Sequence, residues 1–133
     1  DWIHTHREKA LAAAEQKAAN RLTEAERKAV VKRAAQMLAE KTAHFAKEMG
    51  VTYGRITIRE QKTRWGSCSS AGNLNYNWKL VLMPERVMDY VVIHELAHRK
   101  EMNHSARFYA VVAQQMPDYK VWQSWLKEHG REY

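Results

Sequence analysis

Two histidines one helical turn apart, with a glutamate beside them, are the residues of this sequence best suited to chemistry. His94, Glu95 and His98 form the pattern H-E-x-x-H. Residues four apart lie on one face of an α-helix, so both imidazoles can reach a single metal ion. The glutamate can then accept a proton from a water molecule that the metal activates. The apolar residues around this motif predict a buried helix, in which polar side chains need a binding partner. The pattern therefore predicts a metal-dependent hydrolase.

A catalytic zinc site needs three protein ligands and one open position, and His104 is the best third ligand. On an unbroken helix it would lie about 240° round and about 9 Å along the axis from His98, so the helix is expected to end between them. Asn103 is suited to the left-handed turn that ends a helix, and Ser105 is suited to capping the next one. His104 is favoured over three glutamates at the edge of the site or near the end of the chain: Glu101, Glu128 and Glu132.

Residues 1–50 predict a helical layer made of two helices. The first is rich in alanine. Thr23 and Glu26 form a capping box for the second, whose apolar residues recur at helical spacing until Gly50 ends it. The histidines of this layer are interpreted as surface residues rather than ligands: His4, His6 and His44.

Residues 51–83 change to the two-residue period of β-strands. Ile56 and Ile58 predict one strand, and a second is predicted within 62–67. After a turn, apolar and polar side chains alternate over 74–82, which is the clearest strand pattern in the chain. This segment is expected to form a small antiparallel or mixed sheet.

Residues 84–133 predict the metal-site helix and two C-terminal helices. Pro84 opens the metal-site helix, since proline is tolerated in the first turn. The second helix covers 106–116, and the third runs from a cap at Asp118 to Gly130. The whole pattern predicts a single α+β domain over 1–133, with the helical layer, the sheet and the metal-site helices in that order.

The composition describes one intracellular domain. The 133 residues contain two prolines and five glycines, which leaves little room for a disordered linker. No run approaches the length of a membrane span, and the first residues lack the pattern of a signal peptide. The single cysteine, Cys68, suits a reducing compartment such as the cytoplasm and is interpreted as a small buried apolar residue.

Three motifs stand in a fixed order: Trp65-Gly66-Ser67-Cys68, then Asn77-Trp78-x-Leu80, then His94-Glu95-Leu96-x-His98 followed by His104-Ser105-x-x-Phe108. In this order and spacing they resemble the YgjP-like family of zincin metallopeptidases, which is related to the SprT-like and WSS1-like DNA–protein crosslink proteases. The resemblance covers 51–116 closely. It implies a minimal zincin fold, with an edge strand above the metal and the metal-site helix below it. It supports His94, His98 and His104 as metal ligands and Glu95 as the catalytic acid and base. Members usually carry a strand-rich segment ahead of the first helix, so this chain is expected to lack a native N-terminal segment.

The expected reaction is hydrolysis of a peptide bond with Zn²⁺ as the cofactor, although Ni²⁺ and other divalent transition metals also fit three histidines. Glu95 takes a proton from the attacking water and returns it to the leaving amine. An extended peptide or protein substrate is expected to pair with an exposed edge strand, for which 74–82 is the candidate. Candidates for stabilising the oxyanion or contacting the substrate are Asn77, Arg64 and Tyr109.

Positive charge is densest in the predicted sheet, where 51–83 carries five basic side chains and one acidic one. A positive roof over a metal favours negatively charged substrates, which keeps two alternatives open. One is hydrolysis of a nucleoside triphosphate such as UTP, by a metal-dependent pyrophosphatase. The other is a DNA-associated protease or nucleic-acid-binding module, with phosphates contacted by Arg55, Arg59, Lys62 and Arg64. A solvated, solubilising surface explains the same residues equally well, and no membrane partner is expected.

Overall fold

The computed structural model describes residues 22–60 and 64–133. Their elements are α1 (Glu24–Met49), β1 (Ile56–Arg59), β2 (Gly66–Cys68), β3 (Leu74–Asn77), a 3-10 helix (Trp78–Leu82), α2 (Glu85–Ala97), α3 (Ala106–Gln115), α4 (Tyr119–His129) and a short 3-10 turn (Gly130–Glu132). The predicted α+β class is confirmed, and the first predicted helix lies outside the described residues. Within the described ranges, no helix is both long and apolar enough to span a bilayer.

The ends of α1 are determined by local sequence. The Thr23 hydroxyl accepts a hydrogen bond from the Glu26 backbone N–H at 3.1 Å and donates to the Glu26 carboxylate at 3.0 Å. Gly50 ends the helix with φ of 69°, a conformation that glycine adopts without steric cost. Both helix signals in the sequence are therefore confirmed. Lys41 then joins α1 to α2 through an ion pair of 2.6 Å with the buried Asp89.

The sheet is mixed, as predicted, but the strand predicted to form its edge lies in the middle. Its order is β1-β3-β2, with β3 parallel to β1 and antiparallel to β2. The prediction that 74–82 is an exposed edge strand is therefore wrong, and the edges among the described strands are β1 and β2. Alternation of apolar residues indicates which side chains face the core, but it carries no information about which strands are neighbours.

The predicted strand over 74–82 is also too long, because it ends at Asn77. The Asn77 side-chain oxygen accepts a hydrogen bond from the Lys79 backbone N–H at 3.0 Å, and a 3-10 helix follows. Short polar side chains of this kind offer the backbone a local alternative to strand pairing. Trp78 and Leu80 remain buried in the 3-10 helix, so the apolar alternation reflects burial rather than strand geometry.

Helix α2 forms the centre of the molecule. Ten of its residues are buried: Val87, Met88, Asp89, Tyr90, Val91, Val92, Ile93, Glu95, Leu96 and Ala97. A helix that is apolar on nearly all sides must be covered on all sides, and here α1, β2, α3 and α4 cover it. The sheet and the other helices thus hold the metal-site helix in a fixed orientation.

The turn after α2 differs from its prediction. The helix ends at Ala97 with His98 as its C-cap in a right-handed conformation, and no described residue other than glycine has positive φ. The left-handed turn predicted at Asn103 is therefore wrong, although the helix does end before His104. Arg99 fixes the turn, since its guanidinium donates to the backbone oxygens of Thr52 and Ser70 at 2.8 and 3.1 Å. These long-range bonds are not visible in the sequence around the turn.

The C-terminal helices begin where the sequence predicts. Ser105 caps α3 by accepting a hydrogen bond from the Phe108 backbone N–H at 3.3 Å, as expected. Asp118 stands at the N-cap of α4 but makes no capping bond. Its carboxylate instead accepts from the Trp122 indole N–H and the Arg86 guanidinium, both at 3.1 Å.

Candidate metal centre

Three histidine side chains converge below β2. His94 lies in the last turn of α2, His98 is the C-cap of that helix, and His104 comes from the segment between α2 and α3. The Nε2 atoms of His94 and His104 are 3.2 Å apart, and one ligand atom from each of the three rings lies within 4.8 Å of the others. Two nitrogens bound to one tetrahedral zinc at about 2.0–2.1 Å stand roughly 3.3 Å apart. The donor set and its spacing therefore fit a zinc-sized divalent ion.

The other ring nitrogens of two histidines have partners in the protein. His98 Nδ1 lies 3.2 Å from the Glu101 carbonyl oxygen, so this N–H donates and Nε2 is left with its lone pair. His94 Nδ1 lies 3.3 Å from the Tyr90 hydroxyl. Such partners set the tautomer and ring orientation of metal-binding histidines. Glu101 thus contributes its backbone oxygen to the site.

Phe108 forms the floor under the three rings. It is fully buried, and its ring stacks on His98 at 4.5 Å between centroids and meets His94 and His104 edge to face at 4.9 and 5.0 Å. The Ser105 cap places Phe108 in the first turn of α3. The start of α3 therefore positions the histidine that does not lie on α2.

Burial keeps the histidines on α2 neutral. It lowers the pKa of His94 to about 4, and the neighbouring His98 and His104 add to this shift. Burial and His104 also lower the pKa of His98. Because only the neutral imidazole binds a metal, the site is ready for a cation at neutral pH.

Glu95 is the buried acid of the site. Only 6% of its surface is exposed, and burial raises its pKa to about 8, with the charge of Arg64 acting in the opposite direction. It opens into a cavity of about 380 Å³ that contains all three histidines. The cavity is lined by Arg64, Gly66, Ser67, Cys68, His94, Glu95, His98, Met102 and His104. A carboxylate that titrates near neutral pH beside a metal site can both accept and return a proton.

Of the three residues considered for the oxyanion, the structure brings only Arg64 into this cavity. The Asn77 amide donates to the Arg64 backbone oxygen at 3.4 Å, so Asn77 supports the segment that carries Arg64. The Tyr109 ring stacks on Tyr119 at 5.8 Å and is 6.3 Å from the His104 ring. Neither Asn77 nor Tyr109 lines the cavity.

The rival glutamates and most of the basic residues lie elsewhere. Glu128 and Glu132 lie beside His129, at 3.8 and 3.4 Å. Arg55 and Arg59 flank or belong to β1, the sheet edge opposite β2, and the Arg59 guanidinium donates to Asn75 at 3.0 Å. Lys62 lies outside the described residues. The sequence predicted a cluster of basic side chains over the metal. Among the described residues that line the cavity, Arg64 is the one arginine or lysine of that cluster.

Several residues at the site were missed by sequence reasoning. Cys68 was interpreted as a buried apolar residue, but it is half-buried and lines the cavity. Burial and nearby Glu95 raise the pKa of its thiol, which donates to the Ser69 carbonyl oxygen at 3.4 Å. Tyr90 and Met102 were also missed. The place of Cys68 in the Trp65-Gly66-Ser67-Cys68 motif could have indicated that it lies at the site. Tyr90 precedes His94 by four residues, and this helical spacing could have indicated that the two side chains are in contact.

Three converging histidines and a buried glutamate in one cavity define a metal-dependent hydrolase. A family model, the YgjP-like metallopeptidase domain, matches residues 1–129. The chain belongs to this family, which implies a divalent metal and metal-dependent hydrolysis of peptides.

Two solved structures share the fold. The metallopeptidase zymogen abylysin of Pyrococcus abyssi is 24% identical, with a TM-score of 0.63 over 71% of this chain and 96% of its own. The metallopeptidase zymogen jannalysin of Methanocaldococcus jannaschii is 19% identical, with a TM-score of 0.58 over 68% of this chain and 94% of its own. No curated protein matches the chain.

Proposed function

We propose that the protein is a zinc-dependent peptidase in which His94, His98 and His104 hold the metal and Glu95 moves the proton. The observation that carries the proposal is the shared cavity. The Glu95 carboxylate and the three imidazoles open into the same space of about 380 Å³. Three neutral nitrogen ligands favour zinc over magnesium or calcium, which prefer oxygen.

When bound, zinc would polarise both a water molecule and the substrate carbonyl. Glu95 takes the proton of the attacking water on a carboxylate oxygen and later gives it to the leaving amine nitrogen. Burial raises the pKa of Glu95 to about 8 in the metal-free protein, and a bound divalent cation would lower it, so that the carboxylate is ionised and can accept the proton. The Arg64 guanidinium lies in the same cavity and is proposed to stabilise the negative charge that develops on the carbonyl oxygen.

The substrate backbone is proposed to pair with β2. Within the described residues, this strand bonds to β3 on one side only, and all three of its residues line the metal cavity. An extended peptide can add to such an edge through main-chain hydrogen bonds. The edge strand β2 replaces residues 74–82 as the candidate for pairing with the substrate, because β3 already has a partner strand on each side.

Nucleotide hydrolysis is less favoured by the charges around the metal. Arg64 is the one arginine among the described residues that line the cavity, and no lysine lines it. A triphosphate carries several negative charges and is usually held by a combination of basic side chains and backbone amides. The same chemistry of water activation would nevertheless act on it, so the experiment includes nucleotides.

The test compares the wild type with Glu95→Gln and the control Glu101→Gln, all reconstituted with zinc. Each is offered an unfolded protein, with and without DNA, and a panel of nucleoside triphosphates that includes UTP. We expect the wild type and Glu101→Gln to cleave the protein, and Glu95→Gln to be slower by about 10²- to 10⁴-fold with unchanged zinc content. Glu101 is a matched control because its backbone oxygen, not its carboxylate, contacts His98.

Each alternative outcome has a distinct meaning. Consumption of a nucleotide alone, lost in Glu95→Gln, would overturn the peptidase proposal in favour of a nucleotide hydrolase. Protein cleavage that depends on DNA would assign the protein to the DNA-associated proteases. Cleavage that is unaffected by Glu95→Gln would show that Glu95 does not carry the proton.

A further inference from the structure

The chain between the second and third histidines of the metal centre crosses an exposed loop. His98 is buried at the end of α2, whereas residues 102–105, which include His104, are exposed. Within this stretch, the last backbone bond to α2 runs from the Glu101 N–H to the Ala97 oxygen at 3.0 Å. Holding an exposed segment in one conformation costs conformational entropy. If the fold did not hold this loop in place, metal binding would have to supply that free energy.

Arg99 directly follows His98 and joins the start of this loop to the sheet. Its Nε atom donates a hydrogen bond to the Thr52 backbone oxygen at 2.8 Å, and Nη1 donates to the Ser70 backbone oxygen at 3.1 Å. Thr52 precedes β1, and Ser70 lies in the turn between β2 and β3. Among the hydrogen bonds of the described residues, these two link 98–104 to the sheet and its loops.

The turn that receives the Arg99 guanidinium is itself ordered by hydrogen bonds. A Cβ atom on Gly72 would stand 2.7 Å from Arg99 Cζ and 2.9 Å from Nε, so the guanidinium lies directly on the backbone of this glycine. Gly72 has φ of 88°, its N–H donates to the Ser69 oxygen at 2.9 Å, and its oxygen accepts from the Gly54 N–H at 2.8 Å. Arg99 therefore connects the metal-binding segment to a well-defined turn at the end of β2.

We propose that Arg99 is a positioning residue for the metal centre, and that it holds the segment 98–104 at a fixed distance from β2, the strand proposed to pair with the substrate. This inference rests on the proposed peptidase function. Arg99 contributes to none of the pKa shifts of His94, His98 and Glu95, which come from burial, from other side chains and from backbone hydrogen bonds. It therefore acts through position rather than through its charge. Folding, instead of metal binding, then orders the loop that carries the third ligand.

The first experiment measures zinc affinity by chelator competition and records the absorption spectrum of the cobalt-substituted protein, which reports the ligand geometry. We expect Arg99→Ala to bind zinc about 10-fold more weakly and to change the spectrum. Arg99→Lys should fall between the two, because lysine keeps the charge but cannot form the two-pronged contact.

Lys41→Ala is the matched control, since it removes another cation that joins two elements, but in the first half of α2 and away from the ligands. Thermal unfolding of the metal-free proteins measures how much each change destabilises the fold. The control should lose stability while keeping the zinc affinity and the cobalt spectrum of the wild type. A wild-type affinity and spectrum in Arg99→Ala, or an equal loss of affinity in Lys41→Ala, would overturn the inference.

The second experiment measures peptide cleavage at saturating zinc, where the weaker affinity of the variant no longer matters. We expect kcat of Arg99→Ala to fall by about 10- to 100-fold with a smaller change in KM, because the metal is no longer held at the correct distance from the peptide on β2. Cleavage that depends on Glu95 but keeps the wild-type kcat in Arg99→Ala would overturn the inference and leave the peptidase proposal intact. A wild type that cleaves no peptide, with a zinc affinity and cobalt spectrum that still depend on Arg99, would overturn the peptidase proposal and support Arg99 as the positioning residue of the metal centre.

Discussion

Gly66 of β2 lies directly against the carboxylate of Glu95 on α2. A Cβ atom at position 66 would stand 3.0 Å from Glu95 Oε2 and 3.1 Å from both Glu95 Cγ and Val91 Cγ1. These distances are shorter than ordinary van der Waals contacts, so the strand and the helix approach each other this closely because residue 66 has no side chain. This close approach places β2 against the Glu95 carboxylate at the wall of the metal cavity.

Gly66→Ala is expected to displace Glu95 and lower kcat/KM by about 10- to 100-fold, because displacements of about 1 Å at a reacting group have effects of this size. Zinc content should remain near that of the wild type, since position 66 touches none of the three histidine rings in its close contacts. Ser67→Ala, one residue along the same strand, removes an atom instead of adding one and should retain activity. Steady-state kinetics together with thermal unfolding test this, and full activity in Gly66→Ala would show that Glu95 tolerates the shift.

Alanine substitutions of the three histidines are expected to reduce zinc binding from one equivalent to a small fraction, because each provides one of three ligand atoms. Metal analysis after dialysis against a weak chelator measures this. His44→Ala is the control, since His44 is exposed on α1 and pairs only with Glu48 among the ion pairs of the described residues. Full zinc retention in any one of the three variants would remove that residue from the ligand set.

Tyr90→Phe is expected to weaken zinc binding by about 10- to 100-fold, the usual effect of losing the outer hydrogen bond of a metal-binding histidine. The variant removes the hydroxyl that lies 3.3 Å from His94 Nδ1 but keeps the buried ring of this side chain. Chelator competition gives the affinity, and the absorption spectrum of the cobalt-substituted protein reports the geometry. An unchanged affinity and spectrum would show that Tyr90 acts only in packing.

The metal-free protein is expected to lose about 1 kcal/mol of stability between pH 6.5 and pH 8. Burial raises the pKa of Glu95 from 4.5 to about 8, so the folded state holds a proton that the unfolded state has released, and this stability disappears as the pH rises. His94 changes the stability in the opposite direction. Burial lowers its pKa from 6.5 to about 4, so between these two pH values the unfolded state binds the proton more readily and stability rises with pH. The two effects nearly cancel between pH 4.5 and 6.5, which leaves the loss due to Glu95 visible above pH 6.5.

Urea unfolding in the presence of a chelator, at half-unit steps of pH, measures this dependence. Glu95→Gln cannot titrate at this position, so its stability should no longer fall between pH 6.5 and 8 and should rise slightly, because the lowered pKa of His94 is retained. A wild-type stability that is constant or rising across this range would contradict the burial of an ionisable Glu95.

The sequence by itself determined the local parts of the site. The H-E-x-x-H spacing puts His94 and His98 on one face because helical geometry depends only on residues four apart. Thr23, Gly50 and Ser105 mark helix ends for the same reason, since a cap bonds to backbone groups within a few residues. The two-residue period over 74–77 likewise gave the buried face of β3.

Only the tertiary structure decided which elements meet above and beside the metal. The order β1-β3-β2 makes β2 an edge strand of the part of the sheet that the structure describes, and it depends on pairings between residues far apart in the chain. Arg64 reaches the cavity while Asn77 supports its backbone, although both are polar residues in the same predicted sheet. A cavity beside Glu95 is lined both by Leu126 from α4 and by Trp65, which lies 61 residues earlier in the sequence. Side-chain patterns report burial and local hydrogen bonding, whereas these contacts come from the packing of the whole core around α2.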